Sequence, residues 1–249
     1  MIWLACLSAA LASDFSFVVL GDTQGVADGD AINWETLPQL VEDINARAPD
    51  VLVVTGGLVS GSDSIDIQVN QWEEFAAVVS DFPGELMVLP GTSDLLAGEG
   101  SFGAWRTVFD SLPVDDSPIG EEGISYYRDH GLIRMVAIAS DGEAGDRYKV
   151  SDEGMLWLDH VLGEAVDAEH LFVFTHHPVS FGAHLPLETV LDEPGLGHTG
   201  DAFWQSLLHH GVRAVFTGHW NRYQPGQLGN GGATWEYVVG TGGGQQQFD

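Results

Sequence analysis

Positive charge is what this chain of 249 residues has least of. Lys and Arg number 8 against 37 Asp and Glu, the formal net charge is -29, and Lys149 is the single lysine. Holding a phosphate backbone takes clustered Lys and Arg, so nucleic acid is not an expected partner. The acidic excess implies a solvated, self-repelling surface suited to salty or extracellular surroundings. Cysteine is nearly missing too: Cys6 is the only one, and it lies in the apolar opening segment Met1 to Ala12. Beyond that segment no run reaches the ~18 apolar residues of a membrane span, so none is expected.

Met1 to Ala12 ends on Ala10-Leu11-Ala12, an A-x-A pattern that reads as a short export signal releasing a chain from Ser13 or Asp14. The expected division is a leader at 1–12 and one domain at 13–249, placed in the periplasm or outside the cell. No Lys or Arg precedes the apolar stretch. A buried leading strand is therefore the alternative, with a cytoplasmic location if the leader stays. Removal of the leader would also remove every thiol, and with it disulfides and Cys-ligated metals.

The rest of the chain is 44% hydrophobic and long enough to bury a sizeable core. Phe15 to Leu20, Val51 to Thr55 and Leu86 to Leu89 are continuous apolar runs, as for strands buried on both faces. Between them Leu37, Leu40, Val41 and Ile44, then Trp72, Phe75, Ala76 and Val79, recur at i, i+3, i+4, i+7, giving a βαβαβ opening. A shorter helix is expected around Trp105 to Phe109. Ile124 to Tyr127 and Leu132 to Ala139 flank Asp129-His130-Gly131 as a hairpin starting a second sheet, and Asp141 to Asp146 reads as a polar loop. Met155, Leu158, Val161 and Leu162 mark a helix opened by Ser151. Leu171 to Phe174, Ala214 to Phe216 and Tyr237 to Val239 supply three more strands, with a helix over Phe203 to Leu208. The expectation is an α/β fold: a four-layer αββα sandwich in one domain.

Five strands end on short polar or glycine corners: Gly21-Asp22-Thr23-Gln24, Gly56-Gly57, Gly91-Thr92-Ser93-Asp94, His176-His177-Pro178 and Gly218-His219-Trp220-Asn221. Ligands gather beyond the carboxyl ends of strands in open α/β sheets. On these corners, the helix Met155-Leu156-Trp157-Leu158 and the glycine run Gly240 to Gly244, the chain resembles the calcineurin-like metallophosphoesterase superfamily over about Phe15 to Gly244.

That resemblance implies a two-metal phosphoester hydrolase, and it also exposes departures from the pattern. Asp22 and Gln24 match a D-x-Q form of the first corner, and His176 and His219 stand at ligand positions. The second corner has Gly57 where the resemblance places a carboxylate shared by both metals. The third has Thr92 and Ser93 in place of an amide ligand and a leaving-group histidine, and the fifth has Asn221 in place of a second histidine. Two dications about 3.5 Å apart repel by roughly 19 kcal/mol even at an effective dielectric of about 20, so a pair needs anionic charge between them. Glycine supplies none. The resemblance therefore implies at most one divalent cation (Zn, Mn or Ca) on Asp22, Gln24, His176, His219 and Asn221, with His177 or Asp94 as candidate acids or substitute ligands.

Plainer roles exist for each of these groups. Asp22 can be a loop residue, His176 and His219 hydrogen-bonded remnants, Asp94 a loop end, and Gly240 to Gly244 a flexible turn. His209 and His210 fit a helix C-terminus, where imidazoles favour the dipole. His184 and His198 flank a long loop, as surface residues or substitute ligands. The function expected is a phosphoesterase homologue with a depleted metal centre that binds a phosphorylated small molecule or a partner with little or no hydrolysis. The alternative is a hydrolase working with one metal or substitute ligands.

Overall fold

The computed structural model describes residues 15–26, 29–143, 147–179, 196, 199–227 and 233–245. The opening segment 1–14, His184 and His198 lie outside the described residues, as does most of the loop those two histidines flank.

The first half alternates strand and helix: β1 (Phe17–Leu20), α1 (Leu37–Arg47), β2 (Val51–Val54), α2 (Ile65–Val79), β3 (Glu85–Val88) and α3 (Ser101–Val108). The three strands form a parallel sheet in the order β1-β2-β3. All four residues of β2 are buried, which is why its sequence shows no polar alternation. The periodic residues of the two long helices face inward: Leu37, Val41 and Ile44 from α1, and Trp72, Phe75 and Val79 from α2, are buried. A 3-10 turn over Ser93–Leu95 separates β3 from α3.

The second half builds a six-stranded mixed sheet from β4 (Tyr126–His130), β5 (Ile133–Ala137), β6 (His170–Phe174), β7 (Ala214–Thr217), β8 (Tyr223–Gln227) and β9 (Trp235–Val239), in the order β4-β5-β6-β7-β9-β8. α4 (Asp152–Gly163) and α5 (Thr199–His209) lie between its strands in sequence. Alternation along β5 and just beyond it shows how the layers stack. Met135, Ala137 and Ala139 join the core that includes the first sheet, while Val136 and Ile138 join a second core with Trp157, Leu158 and Val161 of α4 and Phe203 and Leu207 of α5. Two sheets thus pack face to face with helices outside, the αββα order expected from the sequence. No helix among the described residues is long and apolar enough to cross a membrane.

One helix boundary carries a clear local signal. Ser151 Oγ accepts the Gly154 N–H at 2.8 Å and caps α4, whose first turn carries Asp152 and Glu153. β8 is the strand the apolar pattern does not reveal: it contains Pro225 and Gly226 and forms the sheet's edge, where a missing N–H is tolerated. His209 lies in the last turn of α5 and His210 directly follows it. His210 Nε2 meets Asp159 Oδ1 at 2.8 Å, joining α5 to α4.

Candidate functional site

The five corners converge because β1, β2, β3, β6 and β7 all end on the same side of the two sheets. A cleft of about 270 Å³ opens there, with Asp22, Gln24, Thr92, His176, His219 and Asn221 in its wall.

The first two corners interlock through the backbone. Thr23 and Gln24 donate their N–H groups to Gly57 O at 2.8 and 3.1 Å, and Asp22 donates to Gly56 O at 3.0 Å. Asp22 itself is buried with φ 59, a left-handed conformation in which aspartate is one of the better tolerated side chains. Gly57 has φ 65, and a β-carbon built there would stand 2.6 Å from Asp22 Oδ1 and 3.0 Å from Gln24 Oε1. The residue is glycine because the chain has closed on that space.

Asp94, from the third corner, fixes this closure. Its Oδ2 accepts the N–H groups of Gly57 (2.8 Å), Leu58 (3.1 Å) and Gly91 (2.8 Å), and Oδ1 accepts that of Val59 at 3.1 Å. Complete burial pushes its carboxyl up to about 6, and the four N–H donors work against that rise. Both oxygens are thus committed to the backbone of two corners.

The histidines form the other wall. His176 Nδ1 lies 2.9 Å from Thr55 O, a carbonyl that can only accept, so Nδ1 carries the proton and Nε2 the lone pair. Burial, then the neighbouring His219, pulls its pKa down to about 3 and keeps the ring neutral. His177 is buried and also held well below the usual histidine range, chiefly by desolvation. Its Nδ1 faces Ser140 Oγ at 2.9 Å and Asp141 Oδ2 at 3.2 Å, and its Nε2 lies 3.1 Å from Thr92 Oγ1. Burial pushes Asp141 up to about 8, opposed by the Thr92 hydroxyl that donates to it. Tyr148 packs its ring edge-on to His177, centroids 4.4 Å apart.

The fifth corner closes the cleft. His219 donates its backbone N–H to Asp22 Oδ1 at 3.1 Å, and Gln24 Nε2 donates to Asn221 Oδ1 at 3.3 Å. The glycine run packs underneath: Gly242 and Gly244 give their N–H groups to Gly21 O and Asp22 O, both at 2.7 Å. A β-carbon at Gly240 would collide with Asp22 Oδ2, and one at Gly244 would stand 2.6 Å from Asn221 Oδ1. Close approach is the reason for those two glycines, rather than a flexible turn.

Asp22, Gln24, His176, His177, His219 and Asn221 are therefore brought together, with Asp94 behind them. Sequence reasoning missed Asp141, Ser140 and Tyr148. Asp141 had a usable signal, since Ser140-Asp141 follows the apolar run Met135 to Ala139 much as the five corners follow theirs, but it read as the start of a loop.

As a seat for divalent metal the donor set divides. Donor atoms of His176, His177 and His219 all lie within 4.8 Å of one another, close enough for one ion. A pair fits less well: no carboxylate extends from position 57, and the amides of Gln24 and Asn221 are bonded to each other.

A two-sheet αββα sandwich with a polar cleft at the strand ends defines the class as metallophosphatase-like. The chain belongs to the calcineurin-like phosphoesterase family, whose model matches residues 15–223. Among solved structures it is similar to a purple acid phosphatase, PPD1, from yellow lupin (Lupinus luteus) seeds, with a TM-score of 0.70 and 17% identity over 94% of this chain and 45% of that one. The chain thus spans less than half the length of the lupin protein. It is also similar to a dimetal phosphatase from Danio rerio (TM-score 0.60, 14% identity, 90% of this chain and 86% of that one). A third is GAP50, the anchor in the inner membrane complex of Plasmodium (TM-score 0.63, 14% identity, 94% and 75%). No curated protein matches the sequence.

Proposed function

We propose that this chain is a calcineurin-like phosphoesterase whose two-metal centre is depleted, and that its cleft binds a phosphorylated ligand or a partner, with at most one divalent cation and little or no hydrolysis. The observation that carries the reading is at position 57. The space for a shared carboxylate is filled by Asp22 and Gln24, and the backbone there is held left-handed by Asp94. Without charge between them two dications repel strongly, and no metal-bridging hydroxide is stabilised to attack phosphorus. The solved relatives are compatible with either use of the fold, since two are phosphatases and one is described as an anchor.

A second reading, a single-metal phosphoester hydrolase, is favoured by the three imidazoles whose donor atoms lie within 4.8 Å. One bound divalent ion would supply Lewis acidity toward a phosphoryl oxygen. Asp22, His176 and His219 would hold it.

The two readings separate on turnover. The protein is purified without chelator, and hydrolysis of an aryl phosphate and an aryl phosphodiester is followed with added Mn or Zn. No turnover by folded protein supports the binding reading. Metal-dependent turnover abolished by Asp22→Ala overturns it in favour of the hydrolase.

A further inference from the structure

We propose that Arg147 and Lys149 form an anion-binding lip on the cleft, held in place by Tyr148, and that the lip takes the phosphate of a phosphorylated small molecule without a metal ion. The proposal rests on the phosphorylated-ligand reading above and names the residues that recognise that ligand.

Backbone strain marks the segment. Tyr148 has φ 61, a left-handed conformation that a bulky side chain seldom adopts. Residues held this way persist only where their surroundings over-determine them, and they cluster at ligand clamps and active sites. The restraints on Tyr148 are on both sides of it. Its ring packs edge-on to His177 with centroids 4.4 Å apart and lies 5.6 Å from His219, a residue of the cleft wall. The antiparallel bridge between Asp141 and Arg147 fixes the chain before it, and the Lys149 N–H, which donates to Ser140 O at 2.9 Å, fixes the chain after it. Ser140 and Asp141 come just beyond the end of β5, so residues 147–149 are tied to the strand ends that bound the cleft.

A chain with 37 acidic and 8 basic residues has few positive charges to place. Arg106, Arg128 and Arg134 are paired with Glu122, Glu85 and Asp129. Arg147 and Lys149, by contrast, are exposed and make no ion pair among the described residues. Two such cations on either side of Tyr148 suit a phosphate, whose oxygens take charge-assisted hydrogen bonds from guanidinium and ammonium groups.

The neighbouring groups leave that charge in force. Burial raises Asp141 to about 8, against the Thr92 hydroxyl and the Arg147 charge, so it is protonated at neutral pH. Glu143 turns to α3, where it accepts the Phe102 N–H. Burial keeps His176 and His177 neutral. Asp22, in the cleft wall, repels an anion and confines the phosphate to the lip.

The test is a calorimetric titration of phenyl phosphate into protein held in excess EDTA. Wild-type protein is compared with Arg147→Gln, Lys149→Gln, Tyr148→Phe, Tyr148→Gly and Arg213→Gln, each first shown by circular dichroism to be folded. Arg213 is also exposed but precedes β7, at the other end of the strands, so its variant makes the same charge change away from the cleft. The expected result is that wild-type protein binds phenyl phosphate with EDTA present. Arg147→Gln and Lys149→Gln each weaken binding about tenfold or more, the loss of a hydrogen bond between charged groups. Arg213→Gln stays within about twofold, because a distant exposed charge is screened. Tyr148→Phe keeps the wild-type affinity, since the ring makes the packing contact, and Tyr148→Gly weakens binding as Arg147→Gln does. Unchanged affinity in Arg147→Gln or Lys149→Gln, or an equal loss in Arg213→Gln, overturns the proposal and leaves the reading of the cleft intact. Binding that appears only with added Mn(II) or Zn(II) does the same. Wild-type affinity in Tyr148→Gly overturns the part given to Tyr148. No binding by folded wild-type protein, with or without metal, overturns the proposal and the phosphorylated-ligand reading together.

Discussion

Asp94 Oδ2 accepts the backbone N–H of Gly57 at 2.8 Å, so one acidic side chain of the third corner dictates the path of the second. The same carboxylate takes three further N–H groups, which makes Asp94 a clamp across the floor of the cleft. In Asp94→Ala those donors are buried without partners, at about 1–3 kcal/mol each. The expected loss is about 4 kcal/mol or more, enough to unfold a marginal domain. Asp94→Asn keeps an acceptor oxygen and is expected to lose less, about 1–3 kcal/mol. Urea denaturation of both variants checks the order.

A carboxylate placed at position 57 is not expected to create a metal pair. Gly57→Asp places a β-carbon 2.6 Å from Asp22 Oδ1, at a φ of 65 that costs a non-glycine residue about 1–3 kcal/mol. The variant is expected to melt below the parent and to show no gain in aryl phosphate hydrolysis, because Thr92, Ser93 and Asn221 remain as they are. Robust turnover by this single variant would count against the account.

Stability should fall as pH rises from 6.5 to 8 in chelator-treated protein. Asp141 titrates near 8 when folded against 3.8 for an ordinary aspartate, so in this window the folded chain holds a proton that the unfolded chain has lost. The depressed His176 acts with the opposite sign, but only below 6.5, since above it the ring is neutral in both states. The expected change is about 1–2 kcal/mol over the window. Thermal melts at a series of pH values check it, and Asp141→Asn should flatten the slope.

The fold was legible where period and burial agree. β2 shows as an unbroken apolar run, and α2 as a stripe of Trp72, Phe75 and Val79, because each buries a continuous face. β8 was not legible, since an edge strand can carry Pro225 and Gly226 that an interior strand could not. In the site, the clustering of Asp22, His176 and His219 followed from corners on successive strands. Asp141 did not, because only the pairing of β5 with β6 brings it beside His177. The glycines at 57, 240 and 244 had no readable cause either, as their reason lies in what a side chain there would strike.

The most direct test of the account is a count of metal ions in protein equilibrated with excess Mn(II) or Zn(II) and freed of unbound ion. With Gly57 where a shared anion would stand, the expected result is no more than one ion per chain. Two ions per chain at full occupancy would contradict it.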